Sequence, residues 1–349
     1  MSNPMSKHNY FGWPSVARLQ NGKIAVVASG FRRRHVCPFG KAVISYSEDE
    51  GKTYTAPAPV IDTVLDDRDS GIVPFGKSGV IVTSFNNTVG FQRKYARPFD
   101  SAYLDLIRPE EEAEALGSTF RISHDCGVTF GPIFKSPVTS PHGPLELLDG
   151  TLLWVGRTFS EEDRHRVGYD GILAYRIHLD GSMEYVGKIP NIRIGDTEPL
   201  LCEPHSLQLP DGKILTHIRV QSGGEKPIFT TYQSESDDGG KTWSTPIPLL
   251  DRNGGAPAHL LRHSSGILIS AYGYRNAPYG IRAMFSRDNG KTWDTEYDIY
   301  VNGISSDLGY PATVELSDGS LLTVFYAKQN ENGPAVIMQQ RWTFEEESL

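Results

Sequence analysis

The sequence predicts an all-β fold, a six-bladed β-propeller. Three observations predict it. An apolar run, a tight turn ending in glycine and a second apolar run occur six times, with turn glycines at Gly22, Gly79, Gly150, Gly212, Gly266 and Gly319. An eight-residue turn of the form Ser-x-Asp-x-Gly-x-Thr-aromatic occurs four times, as "SEDEGKTY" from Ser47, "SHDCGVTF" from Ser123, "SDDGGKTW" from Ser236 and "SRDNGKTW" from Ser286. Helical periodicity is nearly absent.

The six hairpins set the blades. Asn-Gly and Asp-Gly between apolar runs are strong hairpin signals, because such turns need positive φ. "VARLQNGKIAVVAS", "LELLDGTLLWVGR", "LQLPDGKILTHIRV" and "VELSDGSLLTVFY" show the pattern in its plainest form. Each hairpin leaves room for two more strands, and propeller blades have four. The blades fall at approximately 11–60, 68–135, 139–190, 200–249, 255–299 and 306–343, in one domain spanning 1–349. The four Ser-x-Asp turns follow hairpins one, two, four and five, where a third strand turns into a fourth. Their Ser, Asp and Thr side chains can bond backbone groups that a tight turn leaves unpaired. Blade six runs out of chain after "AVIMQQRWTF", so the N-terminal "SKHNY" is expected to close the ring. A short helix is expected at Arg108–Gly117, where Pro and acidic residues start it and Gly stops it.

At 349 residues the chain exceeds the size at which one core stops growing, which fits a core divided among blades. The net charge of -8 and the lack of a long Lys/Arg run exclude a nucleic-acid stripe. No apolar run is long enough to span a membrane. Three scattered cysteines, Cys37, Cys126 and Cys202, indicate neither a disulfide framework nor a zinc site. No signal-peptide core is visible, so a cytoplasmic location is the default expectation, with a secreted form whose signal was removed left open. No phosphate-binding glycine loop or metalloprotease motif occurs, so no cofactor and no metal are expected. A homo-oligomer is left open.

In a propeller, residues that begin an inner strand or end a second strand face one mouth. The inner-strand starts offer Trp13, Arg68, Asp69, His142, Glu203, His205, His259 and Tyr310. The second-strand ends offer Arg32, Asn86, Arg157, Arg219, Arg275, Tyr326 and Lys328. So many polar groups at one end of a ring argue for a wet, ligand-binding mouth. Arginines converging there suit a carboxylate or sulfate. For any one of these residues, a water-filled polar mouth is as good an account as function.

The Ser-x-Asp-x-Gly-x-Thr-Trp turn is the Asp box. Four copies interleaved with six hairpins resemble the sialidase (neuraminidase) superfamily, whose BNR repeats build a six-bladed propeller. The resemblance covers almost the whole chain and implies that the Asp-box carboxylates are structural. It also implies a Tyr nucleophile activated by a Glu, and three arginines that bind the substrate carboxylate. Glu203, in "CEPHSLQLPDGKILTHIR", matches the family Glu, and Arg219 the second arginine. Arg275 matches the third, with Arg282 as the alternative. Tyr310, in "DLGYPATVELSDG", matches the nucleophile. A Tyr rather than a carboxylate avoids repulsion by the sugar's own carboxylate.

Two departures are visible. "FGWP" places Gly12 where the family's first arginine stands, and "GFRRRHVCPFGK" lacks the family's acid/base Asp. Arg32 or Arg34 is then a candidate for the third positive charge. Asp69, His35 or Cys37 is a candidate for the acid, and Asp69 is equally placed to pair with Arg68 or Arg157. Trp13 offers a face on which a sugar ring could stack. Insertions at Asn87–Gly117 and Ser160–Gly168 are expected to overhang the mouth, the first as a lid or an oligomer contact.

The expected activity is that of a sialidase-like exo-glycoside hydrolase acting on a terminal acidic sugar, so the expected partner is an acidic glycan. A uronate-directed lyase or hydrolase using Tyr or His is the second expectation. A non-catalytic carbohydrate-binding propeller is the third.

Overall fold

The computed structural model describes residues 1–158 and 171–345. The expected Ser160–Gly168 overhang lies outside the described residues. Six antiparallel sheets follow one another along the chain, at 10–61, 68–136, 138–188, 200–248, 258–303 and 309–342. Within each sheet the strands pair in sequence order, except that in the third the short strand Val138–Thr139 pairs with Leu152–Thr158. The inner strand of blade one packs against the inner strands of both blade two and blade six, so the ring is closed.

The apolar cores lie between blades rather than in one centre. Phe11, Val26 and Val43 of blade one pack with Val314, Leu322 and Val324 of blade six. Val27 and Ile44 pack with Ile72 and Val82 of blade two, and Phe120 with Trp154 of blade three. The remaining junctions are filled in the same way. Each blade is one sheet with two apolar faces, so each needs a neighbour on both sides.

Blade six has three strands of its own. The N-terminus meets its outer edge through Met1, not through Ser6–Tyr10. Met1 donates from its amine to the Ile337 carbonyl at 2.8 Å, and the Ile337 N–H returns to the Met1 carbonyl at 3.0 Å. Tyr10 instead opens the inner strand of blade one, Tyr10–Arg18.

All four Asp boxes close their own turns. In the last, Ser286 Oγ donates to Asp288 Oδ1 at 2.8 Å, and Asp288 accepts from the Thr292 N–H at 2.9 Å and its hydroxyl at 2.6 Å. The Gly290 N–H donates to Ser286 Oγ at 2.8 Å. Gly290 has φ 83°, and a Cβ there would sit 2.5 Å from Leu215 of the preceding blade. The closing aromatics fill the same seams: Tyr54, Phe130, Trp243 and Trp293 each pack against the preceding blade.

The insertion in blade two holds three short helices, α1 (Val89–Arg93), α2 (Pro98–Leu104) and α3 (Pro109–Ala115). α3 lies where the sequence predicts a helix. α2 carries the same signal: Pro at its first turn, and Asp100 accepting from the Arg97 N–H at 3.0 Å. Asp100 is buried and pairs with Arg33 and Arg34, which ties the insertion to the loop after the second strand of blade one. Among the described residues no helix is long and apolar enough to cross a membrane.

Replacing Asp288 by Ala removes three hydrogen bonds from one outer turn. Thermal unfolding is expected to shift down by several degrees while anion affinity at the mouth stays unchanged. Loss of mouth binding at wild-type stability would contradict a purely structural Asp box.

Candidate active site

Four inner strands break their ladder at the same place. The register slips between Gly12 and Ser15, Arg68 and Gly71, Cys202 and His205, and Gly309 and Ala312. Inside each slip sits one residue in the left-handed region: Trp13 (φ 53°), Asp69 (φ 46°), Glu203 (φ 50°) and Tyr310 (φ 49°). A bulge of this kind turns a side chain out of the strand's alternation. All four side chains line one cavity of about 430 Å³ at the mouth of the ring.

Second strands supply the cations. Arg157 and Arg219 lie near the ends of Leu152–Thr158 and Ile214–Ser222, and Arg275 follows Leu268–Tyr274. All three line the cavity, as do Arg68 and His35. Arg219 and Arg275 share one aromatic support, with guanidinium carbons 4.6 and 5.2 Å from the Phe229 ring. Arg275 donates from Nε to the Leu308 carbonyl at 3.0 Å, and its buried Nη2 has no hydrogen-bond partner among the described residues.

Tyr310 and Glu203, 107 positions apart, are in direct contact. The phenol donates to Glu203 Oε1 at 2.6 Å. Arg219 Nη1 donates to Glu203 Oε2 at 2.6 Å and to the Tyr310 oxygen at 3.2 Å. Its other nitrogen, Nη2, is held by Gln221. Burial pushes the Tyr310 phenol well above its ordinary value, and the Glu203 and Asp69 charges push it further. Burial also pushes the Glu203 carboxyl up. The Arg219 charge, hydrogen bonds from Tyr310 and Arg219, and the Arg275 charge outweigh this and hold it below the usual range. The pair therefore rests as a phenol donating to a carboxylate. That arrangement can pass the phenolic proton to the carboxylate when the phenol oxygen attacks.

Several expected residues are elsewhere. Arg282 does not line the cavity. It lies on the third strand of blade five, over the Tyr274 ring at 3.8 Å and paired with Asp298 at 3.1 Å. His142, His205 and His259 sit below the mouth in the channel, not in its wall. The rings of His205 and His259 stack at 4.2 Å, and the His142 ring centroid lies 5.0 Å from that of His259. His205 accepts from the Leu260 N–H and His259 from the Thr313 N–H, each tying one blade to the next. The three rings pack on one another, and none of them lines the cavity.

The substitutes for a third arginine also resolve. Arg32 is fully buried on Asp66 and Arg34 pairs with Asp100, so neither reaches the mouth. Cys37 is buried and accepts from the Arg33 N–H. Trp13 is 2% exposed, and its ring lies against the guanidinia of Arg68 (4.2 Å) and Arg32 (4.9 Å). It supports Arg68 rather than offering a sugar-stacking face. At Gly12 a Cβ would lie 3.3 Å from the Tyr10 ring and 3.7 Å from the Tyr326 ring. The Tyr10 and Tyr326 rings thus stand beside Gly12, and Tyr326 itself lines the cavity.

Sequence reasoning missed Gln221, Phe229 and Asp307. Gln221 is two residues past Arg219, on the same strand face, so period two could have found it. No local signal marks Phe229 or Asp307. Phe91 and Tyr95 of the insertion line one side of the cavity. Among the described residues, no cluster of three or more His, Cys, Asp or Glu side chains is arranged to hold a metal ion.

Residues 143–323, more than half of the chain, match the BNR repeat-like domain family. The chain belongs to that family, and its six-bladed propeller is the architecture of solved sialidase structures. Solved structures with the same architecture include a protein of unknown function from Dyadobacter fermentans, with TM-score 0.78, 21% identity, and coverage of 97% of this chain and 96% of that one. The NanB sialidase of Streptococcus pneumoniae aligns at TM-score 0.70 and 15% identity, over 99% of this chain and 70% of that one. The leech intramolecular trans-sialidase, complexed with 2,7-anhydro-Neu5Ac, aligns at 0.66 and 14%, over 96% and 68%. No curated protein matches the chain. At such identities the likeness establishes the fold of this BNR-repeat protein and leaves its chemistry to the site.

The channel histidines set a pH dependence. Burial pushes His259 down to about 3 and His142 well below its ordinary value, the latter also opposed by the His259 charge. The unfolded chain takes up these protons below about pH 6.5 and the folded chain does not. Stability is therefore full above that pH and falls as pH drops, by up to about 1.4 kcal/mol per unit for each such histidine. Urea midpoints measured from pH 7.5 to 5 should decline below about 6.5, and His142→Phe should flatten the decline. A midpoint independent of pH across that range would refute it.

Proposed function

We propose that this protein is a sialidase-like, exo-acting glycoside hydrolase that releases a terminal acidic sugar. The observation that carries the reading is the 2.6 Å contact from the Tyr310 phenol to Glu203, made inside an arginine-lined mouth. Arg219 and Arg275 hold the sugar carboxylate, with the unpaired Nη2 of Arg275 as one donor to it. Tyr310 attacks the anomeric carbon from that clamp. A bond forms from its oxygen to the anomeric carbon, the glycosidic C–O bond breaks, and the phenolic proton passes to Glu203. The bound carboxylate shares the guanidinium charge that holds Glu203 acidic, so Glu203 becomes a stronger base as substrate arrives. Water then displaces Tyr310, which recovers its proton from Glu203. The leaving oxygen needs an acid, and Asp69 and His35 are the candidates in the wall.

A uronate-directed lyase is the second reading. It is favoured by Gly12, which with the Tyr10 and Tyr326 rings beside it leaves the family's three-arginine pattern incomplete.

The test is a panel of α-sialosides, uronosides and rhamnosyl-uronides against wild type, Tyr310→Phe and Arg275→Ala. One substrate class should be turned over to a saturated sugar. Tyr310→Phe should lose about 10²–10⁴-fold in kcat, and Arg275→Ala should weaken kcat/KM about 10–100-fold. An unsaturated, ultraviolet-absorbing product selects the lyase, and binding without product selects a carbohydrate-binding propeller. Wild-type turnover by Tyr310→Phe removes that residue from its role.

A further inference from the structure

The cavity wall holds a second proton-handling group, built across the seam between blades one and six. His35 follows the second strand of blade one, lines the cavity and is half exposed. Its Nδ1 lies 3.2 Å from Asp307 Oδ1 and 3.2 Å from the Tyr10 hydroxyl. Asp307 comes from the loop before the inner strand of blade six. Tyr10 donates to both Asp307 oxygens, at 3.0 and 3.2 Å. The Trp13 indole and the imidazole pack edge to face, 4.9 Å between centroids.

This geometry fixes the tautomer. Burial pushes the Asp307 carboxyl up, but hydrogen bonds from His35 and Tyr10 and the charges of His35 and Lys328 hold it below the usual range. It is therefore a carboxylate and only accepts. Tyr10 spends its one proton on Asp307, so towards His35 it too only accepts. Both neighbours of Nδ1 are acceptors, and Nδ1 must carry the proton. Among the described residues Nε2 has no hydrogen-bond partner, so its lone pair is left for a ligand.

We propose that His35 is the proton-transfer residue of the glycosidase, exchanging a proton with the leaving oxygen and then with water through Nε2. Asp307 and Tyr10 are its positioning residues. The proposal rests on the glycosidase reading above and decides between the two candidate acids. In the first half-reaction the imidazolium gives its Nε2 proton to the departing glycosidic oxygen as Tyr310 bonds to the sugar. In the second, Nε2 takes a proton from the attacking water, whose oxygen bonds to the anomeric carbon as the Tyr310–carbon bond breaks. The cycle returns His35 to its protonated state with one water consumed.

The charged groups around the ring set the working pH. Partial burial pushes His35 below its ordinary value. The Asp307 hydrogen bond and charge raise it, while Arg68 of blade two and Arg32 of blade one lower it. Lys328 of blade six pairs with Asp307 at 4.0 Å. The acid form of His35 is lost as pH rises, so the first half-reaction fades towards neutral pH. Removing the Asp307 charge moves that loss to lower pH.

The experiment uses the full-length chain with two substrates of the active class, one with a sugar leaving group and one with para-nitrophenol. His35→Gln should lose about 10²–10⁴-fold in kcat on the sugar leaving group. On para-nitrophenol, which departs without a proton, it should lose far less. Asp307→Asn should shift the falling limb of the pH profile to lower pH, a change that a merely structural role would not produce. Nitrogen NMR of the His35 imidazole, which needs no substrate, should show the Nδ1–H tautomer in wild type. An Nε2–H tautomer, equal losses on both leaving groups, or the leaving-group signature in Asp69→Asn instead would overturn the proposal. Retained turnover in Tyr310→Phe would sink the glycosidase reading alone, leaving the tautomer and the pH shift to decide for His35.

Discussion

A strand alternates its side chains between two faces, and in a propeller both faces of a blade are packed by its neighbours. A side chain on the inner strand therefore has no regular way to point up the ring axis. Four inner strands solve this with one left-handed residue in a bulge, at Trp13, Asp69, Glu203 and Tyr310. Each non-glycine residue held there costs about 1–3 kcal/mol. In three of the four the next residue is proline, which restricts the backbone before it and removes a donor the bulge could not pair. The mouth exists because these strains are repeated around the ring and outweighed by the packing between blades.

The charges in that mouth are held by a graded set of partners. At the base, Arg32 and Arg68 share Asp66, which is fully buried, and the Trp13 ring lies against both guanidinia. This cluster is held by paired charges and fixes the wall, with only the two Nε donors left without a hydrogen-bond partner among the described residues. Above it, Arg219 is only partly satisfied by Glu203, and Arg275 keeps a buried Nη2 unpaired. Unpaired buried donors are costly, and Arg275, which lines the cavity with no carboxylate partner among the described residues, is where an anion gains most by binding. The difference between the sets is one of partners rather than residue type.

Much of this was legible in the chain. The Asp boxes and turn glycines gave the six blades, because tight turns constrain residue identity locally. The inner-strand and second-strand positions pointed to Tyr310, Glu203, Arg219 and Arg275, and the structure brings these four to one cavity. The same rule also named His142, His205 and His259, which it does not bring there. Their rings pack on one another across three blades, and that contact, which no local spacing reveals, keeps them out of the cavity wall. Arg32 and Trp13 stood at valid positions too, but Asp66 covers one and two guanidinia cover the other.

The sequence by itself determined the number of blades, the turns that join their strands, and the residue types available at the mouth. Those follow from interactions between residues a few positions apart. Only the tertiary structure decided which of those residues meet. Tyr310 reaches Glu203 across 107 positions, and Asp307 orients His35 across 272. Tyr326 stands beside Gly12 from the far end of the chain. Such contacts depend on how the ring closes and which neighbour covers each side chain, and no stretch of chain carries that information alone.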